Sequence, residues 1–318
     1  MITYTKKILQ DLFDGQKVSP ILPYDSIEMT PAMAEEIANG SGHISLSGAQ
    51  PKFAMVVDNG QLRFTKPNER GTYILKPAPT ARFILERAFC PANEYLTMQL
   101  ARFYGIETAK CALCQFRNGE VAYLTRRFDI RADGGKFAQE DLASVAGLNK
   151  DNAGENYKYD CLSYEECASL IAHRVKAASV EVLKFFRMVV FNYLVLNDDA
   201  HLKNFSLIEL HPNDYVLAPA YDLMNTNLHL YQPSIFALRK GLFKEGTMID
   251  DTHSITYDSF VEFGRRIGLS TVLIEREMKR MSAVYPQVEQ MIQDSMLSEA
   301  LKKHYLSTYI YRRTTITQ

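Results

Sequence analysis

The sequence has no block of five or more like charges, no internal repeat and no low-complexity linker. Each absence closes a class of function. Lys and Arg total 36 against 37 for Asp and Glu, a formal net charge of -1, so no basic field recruits nucleic acid or an anionic membrane. Direct nucleic-acid binding is therefore not expected. The first residues, "MITYTKKILQDLFDG", lack the apolar core of a signal peptide. The greasiest run, Phe185 to Leu196, is short and carries Arg187 and Asn192, which predicts a buried helix and no membrane span. Five cysteines are an odd number without framework spacing, as expected of a reduced, cytoplasmic protein. Cys111 and Cys114 form a C-x-x-C, but on a strand positions i and i+3 face opposite sides, and no second pair completes a zinc site. They read as core cysteines. The seven histidines show no H-E-x-x-H spacing.

What is present suits a large core: 318 residues, of which 47% are hydrophobic, favour two lobes. The pattern changes character near residue 130. Before it, "KFAMVV-DNG-QLRFT" predicts a hairpin turning at Asp58-Asn59-Gly60, and "YILKPA" predicts a short strand ended by Pro77. "AKCALCQF-RNGE-VAYLTRRF" predicts a second hairpin turning at Asn118-Gly119. Between them one helix is expected over Asn93 to Tyr104, stopped by Gly105. After residue 130 helices dominate. Ser163 to Glu166 has capping-box spacing, two strands follow the apolar helix, and three helices are expected around Phe260–Ile267, Val272–Met281 and Met296–Tyr309. The expected class is α+β: a β-rich lobe over residues 1–130, a helical lobe over 131–318, and a ligand cleft between them.

The stretch "LNDDAHLKNFSL" (Leu196 to Leu207) sets a dense polar group directly against an apolar helix. Asp199 and Asn204 stand five apart. In phosphoryl transfer a carboxylate orients or accepts the proton of the attacking hydroxyl, and a nearby amide oxygen can hold Mg²⁺ on the phosphates. An isolated D-x4-N is ordinarily a solvated helix end, but His201, Lys203 and the strands that follow favour a site. Asp222, in "LAPAYDLMN", is expected at the end of an apolar strand, as a second oxygen ligand for the metal or, read alone, as an N-cap. Lys76 could meet phosphates, with Glu94 on the helix holding it; read separately, both are surface charges. In "GHISLSGAQPKF" the small residues Ser45, Ser47, Gly48 and Ala49 let backbone N–H groups approach phosphates. A phosphate on either serine would add roughly -1.5 to -2 charge where those of a nucleotide belong.

Taken together, "ISLSGAQPKFAM", "YILKP", "ANEYLTMQLA", "LTRRFD", "NDDAHLKNFSL" and "PAYDLMN" resemble, in order and approximate spacing, the HipA-type serine/threonine kinases, toxin halves of bacterial toxin–antitoxin systems. The resemblance runs from about Gly42 to Asp222. It implies a bilobal protein-kinase-like fold using ATP and Mg²⁺. It makes Asp199 the catalytic base, places Asn204 and Asp222 on the metal, and sets Lys76, held by Glu94, on the nucleotide phosphates. Ser47, Gly48, Ala49, Gln50, Pro51 and Lys52 would form the phosphate loop, and Arg126, Arg127 and Phe128 the hinge beside adenine. His201, Lys203 and Tyr221 would complete the site.

HipA proteins carry roughly a hundred more residues before the loop serine, about a small subdomain's worth. The shorter chain and the S-x-S of Ser45 and Ser47 are similar to HipT, the kinase of three-part systems in which a separate small protein supplies that piece. Autophosphorylation of Ser45 or Ser47 would then silence the enzyme. The same resemblance implies an aminoacyl-tRNA synthetase as substrate, the tryptophanyl enzyme foremost. It also implies antitoxin and DNA-binding partners from the same operon. Two other readings stay open at this point: a small-molecule phosphotransferase of the aminoglycoside or choline type, and a non-catalytic nucleotide-binding partner in a repressor complex.

Overall fold

The computed structural model describes residues 2–26, 50–246 and 255–318. Helix α1 (Lys6–Phe13) is capped by the Thr5 side chain and leads to a five-stranded antiparallel sheet in the order β2-β1-β3-β5-β4. Between β1 (Phe53–Asp58) and β2 (Gln61–Phe64) the turn residues Asn59 and Gly60 take φ values of 50° and 75°. Those left-handed values match strand twist in a two-residue hairpin, which is why Asn-Gly works there. Gly71 precedes β3 (Tyr73–Pro77), and a Cβ on it would lie 2.7 Å from the Ala54 Cβ, so only glycine lets the strands close. The second predicted hairpin is β4 (Cys111–Gln115) and β5 (Val121–Arg126).

Strand alternation splits the sheet between two cores. Tyr73, Leu75, Cys114 and Leu124 pack with Leu12 and Phe13 of α1 in the smaller core. Cys111 and Tyr123 point to the other face and join the larger core, which includes Leu96 and Leu100 of helix α2 (Cys90–Phe103). The two cysteines of the C-x-x-C are thus buried on opposite faces, as expected. Helix α2 starts three residues before the expected Asn93, because Pro91 suits a first turn whose N–H needs no partner. Gly105, at φ 76°, follows its end.

The helical part opens with β6 (Gln139–Asp141) and three one-turn helices, α3 (Leu142–Val145), α4 (Lys150–Ala153) and α5 (Tyr157–Asp160). The Ser163–Glu166 capping box forms and starts α6 (Tyr164–Arg174). Helix α7 (Ala178–Leu194) carries the apolar run through the larger core. Strands β7 (Ser206–His211) and β8 (Asp214–Leu217) join β6 in a small sheet. Then come α8 (Tyr257–Arg266), α9 (Thr271–Ser282), α10 (Pro286–Gln293) and α11 (Glu299–Thr315). Sequence periodicity did not foresee α1, α3 to α5, α10 or β6, all short or weakly patterned.

One expectation is corrected. Asp222 does not end a strand: β8 stops at Leu217, Pro219 has no N–H for a ladder, and Asp222 lies beyond in a left-handed conformation at φ 55°. Among the described residues no helix is long and apolar enough to cross a membrane.

Candidate active site

Because Leu75 turns into the smaller core, its neighbour Lys76 must face the other way, toward the helical part. There its ammonium meets Glu94 of α2 at 2.5 Å and also pairs with Asp222. The side chains of Lys76 and Glu94 are only 4% and 1% exposed, so neither charge is met by water. Lys52 adds a second ammonium to Asp222 at 3.1 Å. Burial pushes the Asp222 carboxyl up, but Lys52 and Lys76 outweigh it and hold it far below the usual carboxylate range. Glu94 goes the other way: burial pushes it up to about 7, with Lys76 only partly opposing.

Helix α2 is latched to the Asp222 segment from the neighbouring position. The Asn93 amide donates to the Asn225 carbonyl at 2.8 Å, and the Asn225 N–H donates to Asn93 Oδ1 at 3.1 Å. On its far side α2 is tied to α11, where Thr97 Oγ1 and the Tyr305 hydroxyl lie 2.9 Å apart and the Tyr104 and Tyr309 hydroxyls share a hydrogen bond. The Gln50 amide donates to the Pro77 carbonyl at 3.0 Å, fixing the described end of the expected phosphate loop against β3.

Opposite this cluster, the chain leaving α7 turns sharply at Leu196, φ 50°, and delivers Asp199. Neutral groups arrange it. The Tyr159 hydroxyl of α5 donates to Asp199 Oδ1 at 2.7 Å, and the Asn204 amide donates to the Asp199 carbonyl at 2.7 Å. The Asp199 N–H reaches Asn197 Oδ1 at 3.3 Å. The His201 ring packs edge-on against Tyr159, with Nε2 3.8 Å from Asp199 Oδ1. Burial lowers the His201 pKa to about 4, so its ring is neutral at pH 7, and neither ring nitrogen has a hydrogen-bond partner among the described residues.

Gln50, Lys76, Glu94, Asn197, Asp199 and Asp222 surround one small space. It adjoins a polar cavity of about 510 Å³ that Lys52, His201, Lys203, Asn204, Tyr221 and Asp222 help to line. The Tyr221 hydroxyl donates to the Lys203 carbonyl at 2.9 Å, while Lys203 itself pairs with Asp141 at 2.7 Å. Pro51 lies between Gln50 and Lys52 at the entry to β1. The expected hinge residues are placed less directly. Arg126 reaches back to Asp14 beside α1 at 2.7 Å, and Arg127 makes a two-pronged pair with Asp129. All three line a separate cavity of about 480 Å³, and Phe128 also approaches the cleft, with its ring 5.5 Å from that of Tyr221. Ser45, Ser47, Gly48 and Ala49 lie outside the described residues. Tyr159, Asn93 and Asn197 were not singled out from sequence; Tyr159 sits forty positions from its partner, with no spacing to betray it.

An acid with two lysines on it, facing a second acid that accepts from a tyrosine hydroxyl, is an arrangement for binding and transferring a phosphoryl group. The fold agrees: it is a β-rich lobe and a helical lobe of the protein-kinase-like kind. A family model for the HipA-like C-terminal domain matches residues 44–294, and the chain belongs to that family. A putative kinase of Haemophilus influenzae is 28% identical over 96% of this chain and 90% of its own length. The serine/threonine-protein kinase toxin HipA of Shewanella oneidensis is 26% identical over 61% of this chain, which covers 46% of that protein. Among solved structures, the Shewanella oneidensis HipA complex with HipB and operator DNA gives a TM-score of 0.68 at 19% identity, over 93% of this chain and 73% of that one. The Helicobacter pylori proinflammatory kinase CtkA gives 0.50 at 14% identity, over 82% and 90%.

Proposed function

We propose that the protein is an ATP-dependent serine/threonine protein kinase, acting in the cytoplasm as the toxin of a bacterial toxin–antitoxin system. The observation that carries this reading is Lys76, buried between Glu94 and Asp222 and facing Asp199 across the cleft. The lobe up to about residue 130 supplies Lys76, Lys52 and Gln50 to the phosphates; residues 131–318 supply Asp199, Asn204 and Asp222. The acceptor hydroxyl gives its proton to Asp199 as its oxygen attacks the γ-phosphorus, and ADP leaves. Tyr159 fixes one Asp199 oxygen, which turns the other toward the acceptor.

The donor set fits Mg²⁺: Asp222 stays ionised, and the Asn204 nitrogen is committed to a carbonyl, leaving its oxygen for a cation. A bound Mg²⁺ would neutralise phosphate charge. Lys52 and Lys76 would turn from Asp222 to the phosphates as the nucleotide enters. Ser45 and Ser47 are the proposed autophosphorylation sites, with Ser47, Gly48 and Ala49 in the phosphate loop and Arg126 to Phe128 toward the adenine side. An aminoacyl-tRNA synthetase, the tryptophanyl enzyme first, is the proposed substrate. The solved HipA relative, bound to HipB and operator DNA, supports antitoxin and DNA-binding partners.

The test is intact mass before and after incubation with Mg·ATP, beside an Asp199→Asn control. A gain of about 80 Da per phosphate, mapped to Ser45 or Ser47 and absent in the control, supports a self-regulating kinase. Labelled phosphate transferred to the synthetase would fix the substrate. An unchanged mass together with phosphorylation of small alcohols would replace the reading with a small-molecule phosphotransferase.

A further inference from the structure

Four lysines line the polar cavity: Lys52, Lys136, Lys158 and Lys203. Three of them sit on carboxylates. Lys52 is 3.1 Å from Asp222, Lys136 is 3.5 Å from Asp129 and Lys203 is 2.7 Å from Asp141. Lys158, on the one-turn helix α5, has no carboxylate partner among the described residues, and its side chain rests over the ring of its neighbour Tyr159 at 5.0 Å. It is also half-buried, and burial lowers its pKa although Asp199 opposes the shift. An ammonium half withdrawn from water, with no carboxylate in ion-pair contact, carries a cost that Asp199 and the Tyr159 ring offset only in part.

The placement of α5 sharpens the point. Tyr159 donates to Asp199 and packs on His201, so its neighbour Lys158 enters the same cavity on the Asp199 side. Lys76 belongs to the opposite lobe, beside Glu94 and Asp222. A phosphoryl group passing between the two sides would meet Lys76 behind it and Lys158 ahead of it.

We propose that Lys158 is a catalytic residue that binds the γ-phosphoryl group of the nucleoside triphosphate and follows it as it moves to the acceptor. This rests on the kinase reading above. The acceptor oxygen forms its bond to the γ-phosphorus while the bond to the β–γ bridging oxygen breaks. The acceptor proton goes to Asp199, the electron pair leaves with the nucleoside diphosphate, and Lys158 stays protonated, balancing charge on the non-bridging oxygens. Its partner is therefore a phosphate that is present in the triphosphate and absent from the diphosphate.

The experiment measures the affinity of the full chain for ADP and for a non-hydrolysable ATP analogue, both with Mg²⁺, by calorimetry, in wild type, Lys158→Met and Lys158→Arg. Wild type should prefer the analogue, and Lys158→Met should lose roughly tenfold or more for the analogue, the scale of one charge-assisted hydrogen bond. Its ADP affinity should stay unchanged, which also shows that the variant is folded. Lys158→Arg should recover most of the preference. Steady-state transfer should fall in Lys158→Met through kcat more than through KM for ATP. An equal loss for both nucleotides, or none for either, overturns the assignment of Lys158 and leaves the kinase reading intact. A wild type that binds neither nucleotide overturns both.

Discussion

The two sides of the cleft hold their carboxylates by opposite means. Asp222 and Glu94 are surrounded by ammonium groups, Lys76 on both and Lys52 on Asp222. The Asp199 carboxylate accepts from a neutral tyrosine hydroxyl, while two asparagines fix its backbone, Asn204 donating to its carbonyl and Asn197 accepting its N–H, and an uncharged histidine lies beside it. The difference follows from the tasks. A carboxylate that must remain ionised to hold a cation gains from lysines, which lower its pKa. A carboxylate that must take a proton during the reaction would be disabled by the same treatment, and a hydrogen bond from a neutral hydroxyl orients it without an ion pair.

That contrast can be broken from either side. The largest effect is expected at Asp199: Asp199→Asn should lower phosphoryl transfer by roughly a thousandfold, the scale of a lost general base, with nucleotide affinity retained in an equilibrium titration. Next comes the charged side. Lys76→Met leaves Glu94 and Asp222 buried with fewer partners and should destabilise the fold by about 3–5 kcal/mol in denaturant unfolding. The double variant Lys76→Met, Glu94→Leu should regain part of that stability while remaining inactive. If it does not, the charges are not the reason for the loss.

A smaller change sharpens the neutral side. Tyr159→Phe removes one hydroxyl from Asp199 and should reduce kcat roughly tenfold, about the worth of a hydrogen bond to a charged group, with KM for ATP nearly constant. The smallest effect concerns a neutral histidine outside the cleft. His229 is buried; its Nδ1 donates to the Leu85 carbonyl at 2.8 Å and its Nε2 has no partner among the described residues. Burial lowers its pKa to about 4. The unfolded chain binds that proton near 6.5, so the stabilisation is complete above about pH 6.5 and is lost as pH falls toward 4. Thermal unfolding at pH 7 and pH 5 should show His229→Gln losing about 1–2 kcal/mol less than wild type over that interval.

Much of this layout was legible in the chain because it is written in local chemistry. Asn59-Gly60 and Asn118-Gly119 announce their hairpins, Ser163 and Glu166 announce a helix start, and the polar density after α7 marks the place of Asp199 and Asn204. The pairing of Lys76 with Glu94 could be named from residue type, but the closing of Lys76 onto Asp222 is a contact across 146 positions that no periodicity encodes. The reach of the strand before Asp222 was overestimated because apolar residues continue through Ala218 and Ala220 while Pro219 quietly ends the ladder. Tyr159 and Lys158 were missed for a plainer reason: a one-turn helix has no period to detect.

The hydroxyl pairs from α2 to α11 join residues more than two hundred positions apart, Thr97 to Tyr305 and Tyr104 to Tyr309. Chains emerge from the ribosome N-terminus first, at about 5–20 residues per second. The helix bearing Glu94 is therefore made some ten seconds or more before the helix that clasps it. Late in that interval, once Asp222 has been made, the growing polypeptide has its lysine and its acids but lacks the brace that sets their spacing. The order of synthesis thus sets a delay between the making of the cleft and its bracing.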